Sequence, residues 1–389
     1  MVDIVHEAAI KPASAKHAAA VRARVPLTAI DASQWRALAQ RAVEPNGYYL
    51  PAWELAVSAS ARGRTDASAL AAYEGSSVRL IGLMPVISLW RALKIPLPAL
   101  VSAHPYGTLC SPLIDRDVPI EAATRLLQQA REAGAHALVL NDVALDGAAM
   151  TSLKQVLDDD GLKPRVLNSY IRASLDATQD GETLLHEALG TKKLKELRRQ
   201  RHRLEEHGPV AFEVARKPDE IRRALETFLQ LEASGWKGQR GTALVQHAGD
   251  ATFIRRAVPA LAETAQCEIV TLSAGTTPVA AGIVLRHQDR AFFFKLGIDE
   301  RFAKYSPGVQ LTLDLTRHLC TDPAIASADS TASADHPMIN PIWRGRFAIG
   351  DVLIPLRRND PVVALVHGAL AAHGAAYAAA RRAVRLLRK

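Results

Sequence analysis

The stretch FFFKLGIDERFAKYSPGVQ (residues 292–310) holds the clearest constellation for chemistry. An apolar strand leads into a short loop and then a helix whose first turn is Ser306-Pro307-Gly308. Serine suits a helix N-cap and proline the first helical position. Gly308 lets another group approach the backbone closely. Exposed N–H groups at such a terminus favour an anion, and Lys304 would add a full charge. An ordinary capped helix has the same pattern, so an anion site and a plain helix start both stay open on this motif alone. Asp335 and His336, in the loop-like ADHP, are the favoured proton acceptors, since an imidazole with a pKa near ~6.5 suits proton transfer at neutral pH. A surface Asp-His pair that fixes the following turn is the competing reading. Glu232, four residues before Trp236, is a second candidate base, or a solvated acid near a helix end. Trp236-Lys237-Gly238 combines a large ring, a cation and a flexible residue, either to grip a substrate or to anchor a loop on the core.

These residues need elements to position them, and the order of helical and strand-like segments predicts a mixed α/β or α+β class. Leu70–Tyr73 and Val78–Leu89 read as strands joined by the turn Glu74-Gly75-Ser76-Ser77. Ala123, Leu126, Leu127 and Ala130 recur at helical spacing before Gly134, and His136–Leu140 reads as a buried strand. In the second half Ile221, Ala224, Leu225, Phe228 and Leu229 form an amphipathic stripe, with Pro218, Asp219 and Glu220 in its first turn. Strands are predicted at Glu268–Ser273, Val279–Arg286 and Ala291–Ile298, a helix from Ser306-Pro307 to about Leu319, then strands near Ala324–Ala328 and Phe347–Leu356. The halves match at an offset of 200 residues: Gly75-Ser76-Ser77 with Gly275-Thr276-Thr277, and Gly82-Leu83 with Gly282-Ile283. This predicts two related lobes: a flexible tail over 1–26, a first lobe over 27–179, a second over 180–358 and a basic helix over 359–389.

The segments KELRRQRHRLEEHG (195–208), FLQLEASGWKGQRGTAL (228–244), KLGIDERFAKYSPG (295–308) and DSTASADHPMINPIW (329–343) resemble, in this order, the GCN5-related N-acetyltransferases (GNAT). The resemblance is more specifically to the CelD-like, cellulose-biosynthesis-type acetyltransferases, and it extends weakly into the first half through PYGTLCSPLID (105–115). It implies tandem GNAT-like domains, each a mixed, mostly antiparallel sheet flanked by helices, as in the Fem-type transferases, with the first lobe a degenerate scaffold. It implies attack of an amine, or secondarily a hydroxyl, of a polysaccharide or cell-envelope precursor on an acyl-CoA thioester, with acetyl-CoA the first candidate. Strand N–H groups would stabilise the oxyanion. The resemblance assigns catalytic roles among Asp335, His336, Glu232 and Tyr305. It assigns donor binding to Lys295, Lys304, Ser306, Gly308, Val309 and Gln310, and acceptor binding to Trp236, Lys237, Gly238 and Trp343. The usual phosphate loop is retained only at Gly308, with Tyr305 and Gln310 at the flanking positions, so an acyl carrier protein or aminoacyl-tRNA donor stays open. Tyr305 could serve as the acid only if its hydroxyl turns toward the thioester.

The 48 Lys and Arg exceed the 40 Asp and Glu by eight. Lys192–Arg203 and Arg381–Lys389 together carry a net +11, which leaves the rest of the chain at about −3 and the body near neutral. Lys192–Arg203 reads as an amphipathic helix with Leu194, Leu197 and Leu204 buried. Its cations could attract coenzyme phosphates, an acidic partner or tRNA, and holding an acidic partner without catalysis is the non-enzymatic alternative. Without interleaved aromatic residues it does not suit sequence-specific nucleic-acid binding. The basic end of the last helix complements its dipole and could meet anionic lipid peripherally. The three dispersed cysteines fit a reducing compartment and no disulfide scaffold. Cys110 reads as buried and structural rather than nucleophilic. No HxxxH pair, GxSxG elbow or Walker loop is present, which argues against metal and other nucleophilic chemistry. No secretory h-region is visible and no stretch approaches 18 uninterrupted apolar residues, so the expectation is a soluble cytoplasmic protein.

Overall fold

A computed structural model describes residues 24–75 and 79–387, and within these all side chains except those of residues 236, 237 and 384–387. The strands are β1 (Val25–Pro26), β2 (Ser68–Tyr73), β3 (Leu80–Ser88), β4 (Ala99–Ser102), β5 (Leu113–Ile114), β6 (Ala137–Ala144), β7 (Arg165–Asp176), β8 (Val210–Ala215), β9 (Cys267–Ala274), β10 (Thr277–His287), β11 (Arg290–Ile298), β12 (Ser327–Asp329) and β13 (Gly345–Pro355). They form one sheet in the order β1-β2-β3-β4-β6-β13-β7-β12-β11-β10-β9-β8, with β5 beside β3. The fold is thus a mixed, mostly antiparallel sheet flanked by helices, as expected.

The offset of 200 residues falls on matching features. The hairpins β2–β3 and β9–β10 are both antiparallel. Gly75 and Gly275 both take positive φ in the turn region, +50° and +59°, which L residues rarely adopt. Each half has one parallel pair, β4–β6 and β11–β12. The helices Pro119–Glu132 and Pro307–Thr321 lie between the members of these pairs in sequence. The expected apolar positions Ala123, Leu126, Leu127 and Ala130 are all buried on the first of these helices. Ile221, Leu225, Phe228 and Leu229 are buried on the helix Pro218–Ser234.

Three features depart from the sequence reading. Residues 1–23 of the expected tail lie outside the described residues, as do Ser76 and Ser77 of the expected turn and Val78 of the expected strand, but Val25–Pro26 pairs with β2 as an edge strand. The twelve-residue β7 escaped prediction because polar residues interrupt it, including the fully buried Arg172. Finally, β13 lies between β6 and β7, while β7 pairs on its other side with β12. Each half therefore sends a strand into the other's sheet, and a division near residue 180 is not a simple cut through it.

A shared apolar core joins the halves, with Trp35, Tyr48 and Trp53 packed in one cluster with Phe228, Phe253 and Phe292. Trp53 meets Phe253 edge-on at 4.9 Å, a geometry favoured by the ring quadrupoles. The basic segment belongs to the helix Gly181–Leu204, which is interrupted at Gly190. Leu194, Leu197 and Leu204 are buried as expected. Arg201 ties the segment to Asp314 at 2.7 Å. The last helix, Pro361–Leu387, contains one feature that counting uninterrupted apolar runs misses. Its Pro361–Ala383 segment is, by length and composition, apolar enough to cross a membrane, although histidines and glycines break the run.

Candidate active site

Strands β11 and β12 pair through only three residue pairs, ending at Phe292 and Asp329. Beyond them the chains diverge around a cavity of about 380 Å³, lined by Phe293–Leu296 and Ile298 on one side and Ser330–Ala332, His336, Met338 and Ile339 on the other. Thr331 spans the opening, its hydroxyl donating to the Phe293 carbonyl at 2.7 Å. The β10–β11 register passes from Val284–Phe293 to Ile283–Lys295, an irregularity at Phe294. Such bulges redirect side chains and often adjoin functional sites. Phe294 packs against the core shared by the halves, whereas Leu296, Ile298 and Met338 pack against the core of the second half. The cavity therefore opens between two differently built surfaces.

On the second-half surface, the helix Pro307–Thr321 begins at the cavity wall. A Cβ on Gly308 would lie 3.0 Å from Leu296 Cδ2, 3.3 Å from Ile298 Cγ2 and 3.4 Å from Met338 Sδ, so only glycine fits without displacement. The Gly308 and Val309 N–H groups have no partner within the helix, because Gln310 N–H makes its first bond, to the Ser306 carbonyl. The first turn contains no acid, leaving the positive end of the helix dipole uncompensated there. Ser306 departs from expectation: it has φ +55° and its side chain does not cap the helix. Gln310 is also redirected. Its buried amide donates to the Leu197 carbonyl at 2.8 Å and joins two helices instead of facing the cavity. Lys304 is exposed, with its ammonium 4.8 Å from the Tyr305 ring centroid. Tyr305 is buried and shares a 3.0 Å hydrogen bond with His207, so this hydroxyl is engaged away from the cavity lining.

The other surface carries an ion pair between a part-buried lysine and a buried carboxylate. Lys295 Nζ lies 3.5 Å from the fully buried Glu232 carboxylate, which also accepts the Leu244 N–H at 2.9 Å. The ammonium lies 5.6 Å from the Phe294 ring centroid and 5.9 Å from that of Tyr106, within cation–π range. Tyr106 comes from the first half and donates to Asp250 at 2.9 Å. Burial pushes its hydroxyl well above the usual phenol range, and the bond to Asp250 adds to the effect. Asp250 also accepts the Arg62 N–H at 2.8 Å, linking the halves again. Lys295, assigned to the donor by the resemblance, lines the cavity and also meets Glu232 and Tyr106. Tyr106 and Asp250 were missed, although PYGTLCSPLID had singled out the loop that carries Tyr106.

His336 lines the cavity, and its Nδ1 accepts the Ile339 N–H at 3.4 Å. Asp335 is exposed and outside the lining, so the structure separates the expected pair. Trp343 is a core residue: it is fully buried and its indole N–H donates to Thr316 at 2.9 Å. The side chains of Trp236 and Lys237 lie outside the described residues. Gly238 packs where a Cβ would be only 1.8 Å from the Ala233 carbonyl oxygen, so its place rests on backbone crowding. Cys110 is fully buried and burial pushes its thiol pKa up, which fits a structural role. Beneath the site, Arg172 and Asp329 form a fully buried ion pair, and Arg172 also donates to the Thr108 carbonyl at 2.6 Å.

The acetyltransferase (GNAT) domain family matches residues 191–336, which span the basic helix through His336. Residues 191–336 thus match a GNAT acetyltransferase domain. No curated protein matches the chain. The fold is similar to that of FemX at 13% identity, covering 87% of this chain and 98% of that one, with a TM-score of 0.58. It is also similar to that of L-PGS from Bacillus licheniformis at 14% identity, covering 87% and 96%, with a TM-score of 0.51. At these identities the likeness concerns the fold alone.

Proposed function

We propose that the protein transfers an acyl group, in the first instance acetyl, from a coenzyme A thioester to an amine, with a hydroxyl as the second acceptor class. The divergence of β11 from β12 between the Gly308 helix terminus and the Lys295–Glu232 pair carries this reading. The Gly308 and Val309 N–H groups suit a phosphate of the donor, and the missing Cβ at Gly308 leaves the close approach such a group needs. The acceptor enters from the Lys295, Glu232 and Tyr106 surface. Its nitrogen attacks the thioester carbonyl, forming the C–N bond. Backbone N–H groups along the splayed strand stabilise the oxyanion. Collapse breaks the C–S bond, and coenzyme A leaves as a thiolate that takes up a proton. His336, at the cavity wall, accepts the proton released by the amine. Glu232 and Lys295 position the acceptor as a paired carboxylate and cation. The CelD-like resemblance of GWKG and YSPG supports a polysaccharide or cell-envelope precursor as the acceptor.

Calorimetric titration with acetyl-CoA, longer acyl-CoAs and tRNA tests the donor assignment. Saturable binding of a thioester is expected, and binding of tRNA alone would replace this reading with a Fem-like aminoacyl-tRNA donor. His336→Ala should reduce turnover by about 10²–10⁴-fold without changing the melting transition. Asp335→Asn should leave turnover unchanged. Retained turnover in His336→Ala removes the imidazole from the mechanism. If no donor binds and the Lys192–Arg203 helix retains an acidic protein, the non-catalytic alternative holds.

A further inference from the structure

We propose that the helix Pro361–Leu387 docks the protein peripherally on an anionic phospholipid bilayer. Its first turns belong to the body: Val363 and Val366 are buried with Leu89, Val139 and Leu353 over the outer face of β4, β6 and β13. From residue 371 to 383 every residue is exposed. Within this segment residues 371–380 are mostly alanine with Tyr377 at 61% exposure, so they present a weakly polar, largely apolar rod to water ahead of Arg381 and Arg382. A helix apolar on all sides is ordinarily covered by protein or lipid, and nothing in this chain covers it among the described residues.

Charge selects the cover. No acid follows Asp360, and Arg381, Arg382, Arg385, Arg388 and Lys389 recur at i, i+1, i+4, i+7 and i+8. Ala383, Leu386 and Leu387 recur at i, i+3 and i+4, giving the sequence the pattern of a basic amphipathic helix. A second copy would bring these cations together with no acid of the same segment to meet them. A nucleic acid would leave the apolar residues in water. An anionic bilayer accommodates both, since each cation near such a surface strengthens binding about fivefold and apolar side chains enter the acyl boundary. The neighbouring short helix Leu89–Leu93 adds to the same surface: Leu89 and Leu93 pack with Val363, Val366 and Leu370, while Trp90 is 54% exposed beside Lys94.

Docking is peripheral because of length. From residue 371 to its described end at Leu387 the helix extends about 25 Å, short of the ~30 Å hydrocarbon core. Spanning would require pulling Val363 and Val366 from the body.

Vesicle flotation of the full chain tests the proposal, using phosphatidylcholine with and without phosphatidylglycerol. The protein should float with the anionic vesicles, remain unbound with the neutral ones and be released by high salt. Arg381→Gln with Arg382→Gln should weaken binding about 30-fold, and a chain ending at Ala380 should not bind while melting as the full chain does. Absence of flotation with anionic vesicles overturns the proposal, as does flotation retained by the chain ending at Ala380. Sedimentation showing a dimer that this truncation abolishes, without lipid binding, replaces it with self-association. Retention of the full chain by tRNA and not by vesicles also overturns it.

Discussion

The helices Pro119–Glu132 and Pro307–Thr321 hold corresponding places in the two halves and offer opposite first turns. Each lies in sequence between the parallel strands of its half, and each begins with proline. In the first half Ile120 and Glu121 follow, with Asp115 and Asp117 just before. Glu121 lies within 2.8 Å of Arg125. An acid in the first turn compensates the positive end of the helix dipole, so this terminus already has its anion. In the second half Gly308 and Val309 follow the proline, Lys304 precedes it and the first turn has no acid. That terminus is open to an external anion at a cavity wall. The two halves share the crossover, while a few residues leave only the second-half helix start without an acid.

The largest expected effect tests the seam that holds the first half against that site. Asp329→Asn leaves Arg172 buried without its counter-charge and should cost about 3–5 kcal/mol, measured by urea unfolding. A loss below about 1 kcal/mol would show that the pair does not hold the halves together. The second effect also lies between the halves. His287 is buried, its Nδ1 accepting the Asn46 N–H at 2.8 Å while Nε2 lies 2.9 Å from the Ala39 carbonyl. Burial chiefly pushes its pKa down, to about 4. The unfolded state, with a pKa near 6.5, binds the proton first. This contribution is therefore complete above pH ~6.5 and is lost as pH falls toward about 4, amounting to about 3 kcal/mol. Unfolding of the wild type and of His287→Gln across that window checks the sign, since the variant should have the shallower slope. A slope unchanged by the substitution would assign the titration elsewhere.

Gly308→Glu tests the contrast between the helices directly. It overfills a site where a Cβ already approaches 3.0 Å and places an acid against the dipole. Acetyl-CoA affinity should fall about 100-fold, with overpacking supplying about 1–3 kcal/mol of that loss. Glu121→Gln, at the first-half terminus, should leave affinity unchanged; equal effects at both sites would erase the distinction. The smallest effect belongs to Lys304. It is exposed and screened, so Lys304→Ala should weaken donor binding by less than about fivefold, and less still at high salt.

Much of this was legible locally. The stripe from Ile221 to Leu229 and the run from Ala123 to Ala130 identified helices because a 3.6-residue period places those side chains on one face. The strand hairpins followed from their turns, and Gly308 was readable from its position after proline. Residues whose roles depend on distant partners were not readable in this way. Gln310 and Trp343 looked available by proximity to the motif, yet they bond Leu197 and Thr316 in the core. Tyr106 meets Asp250 across 144 residues. The last helix was legible, but the apolar average over Pro361–Ala383 was not, because polar residues interrupt the run.

The sequence by itself determined the mixed class, the paired hairpins, the open helix start at Gly308 and the basic segments. These depend on side-chain periodicity, backbone freedom and charge within a few residues. Only the tertiary structure decided that β7 and β13 interleave between the halves, that His336 and not Asp335 faces the cavity, and that Lys295 meets Glu232. Those outcomes depend on which surfaces the shared core brings together, and burial then fixes which polar groups must find each other.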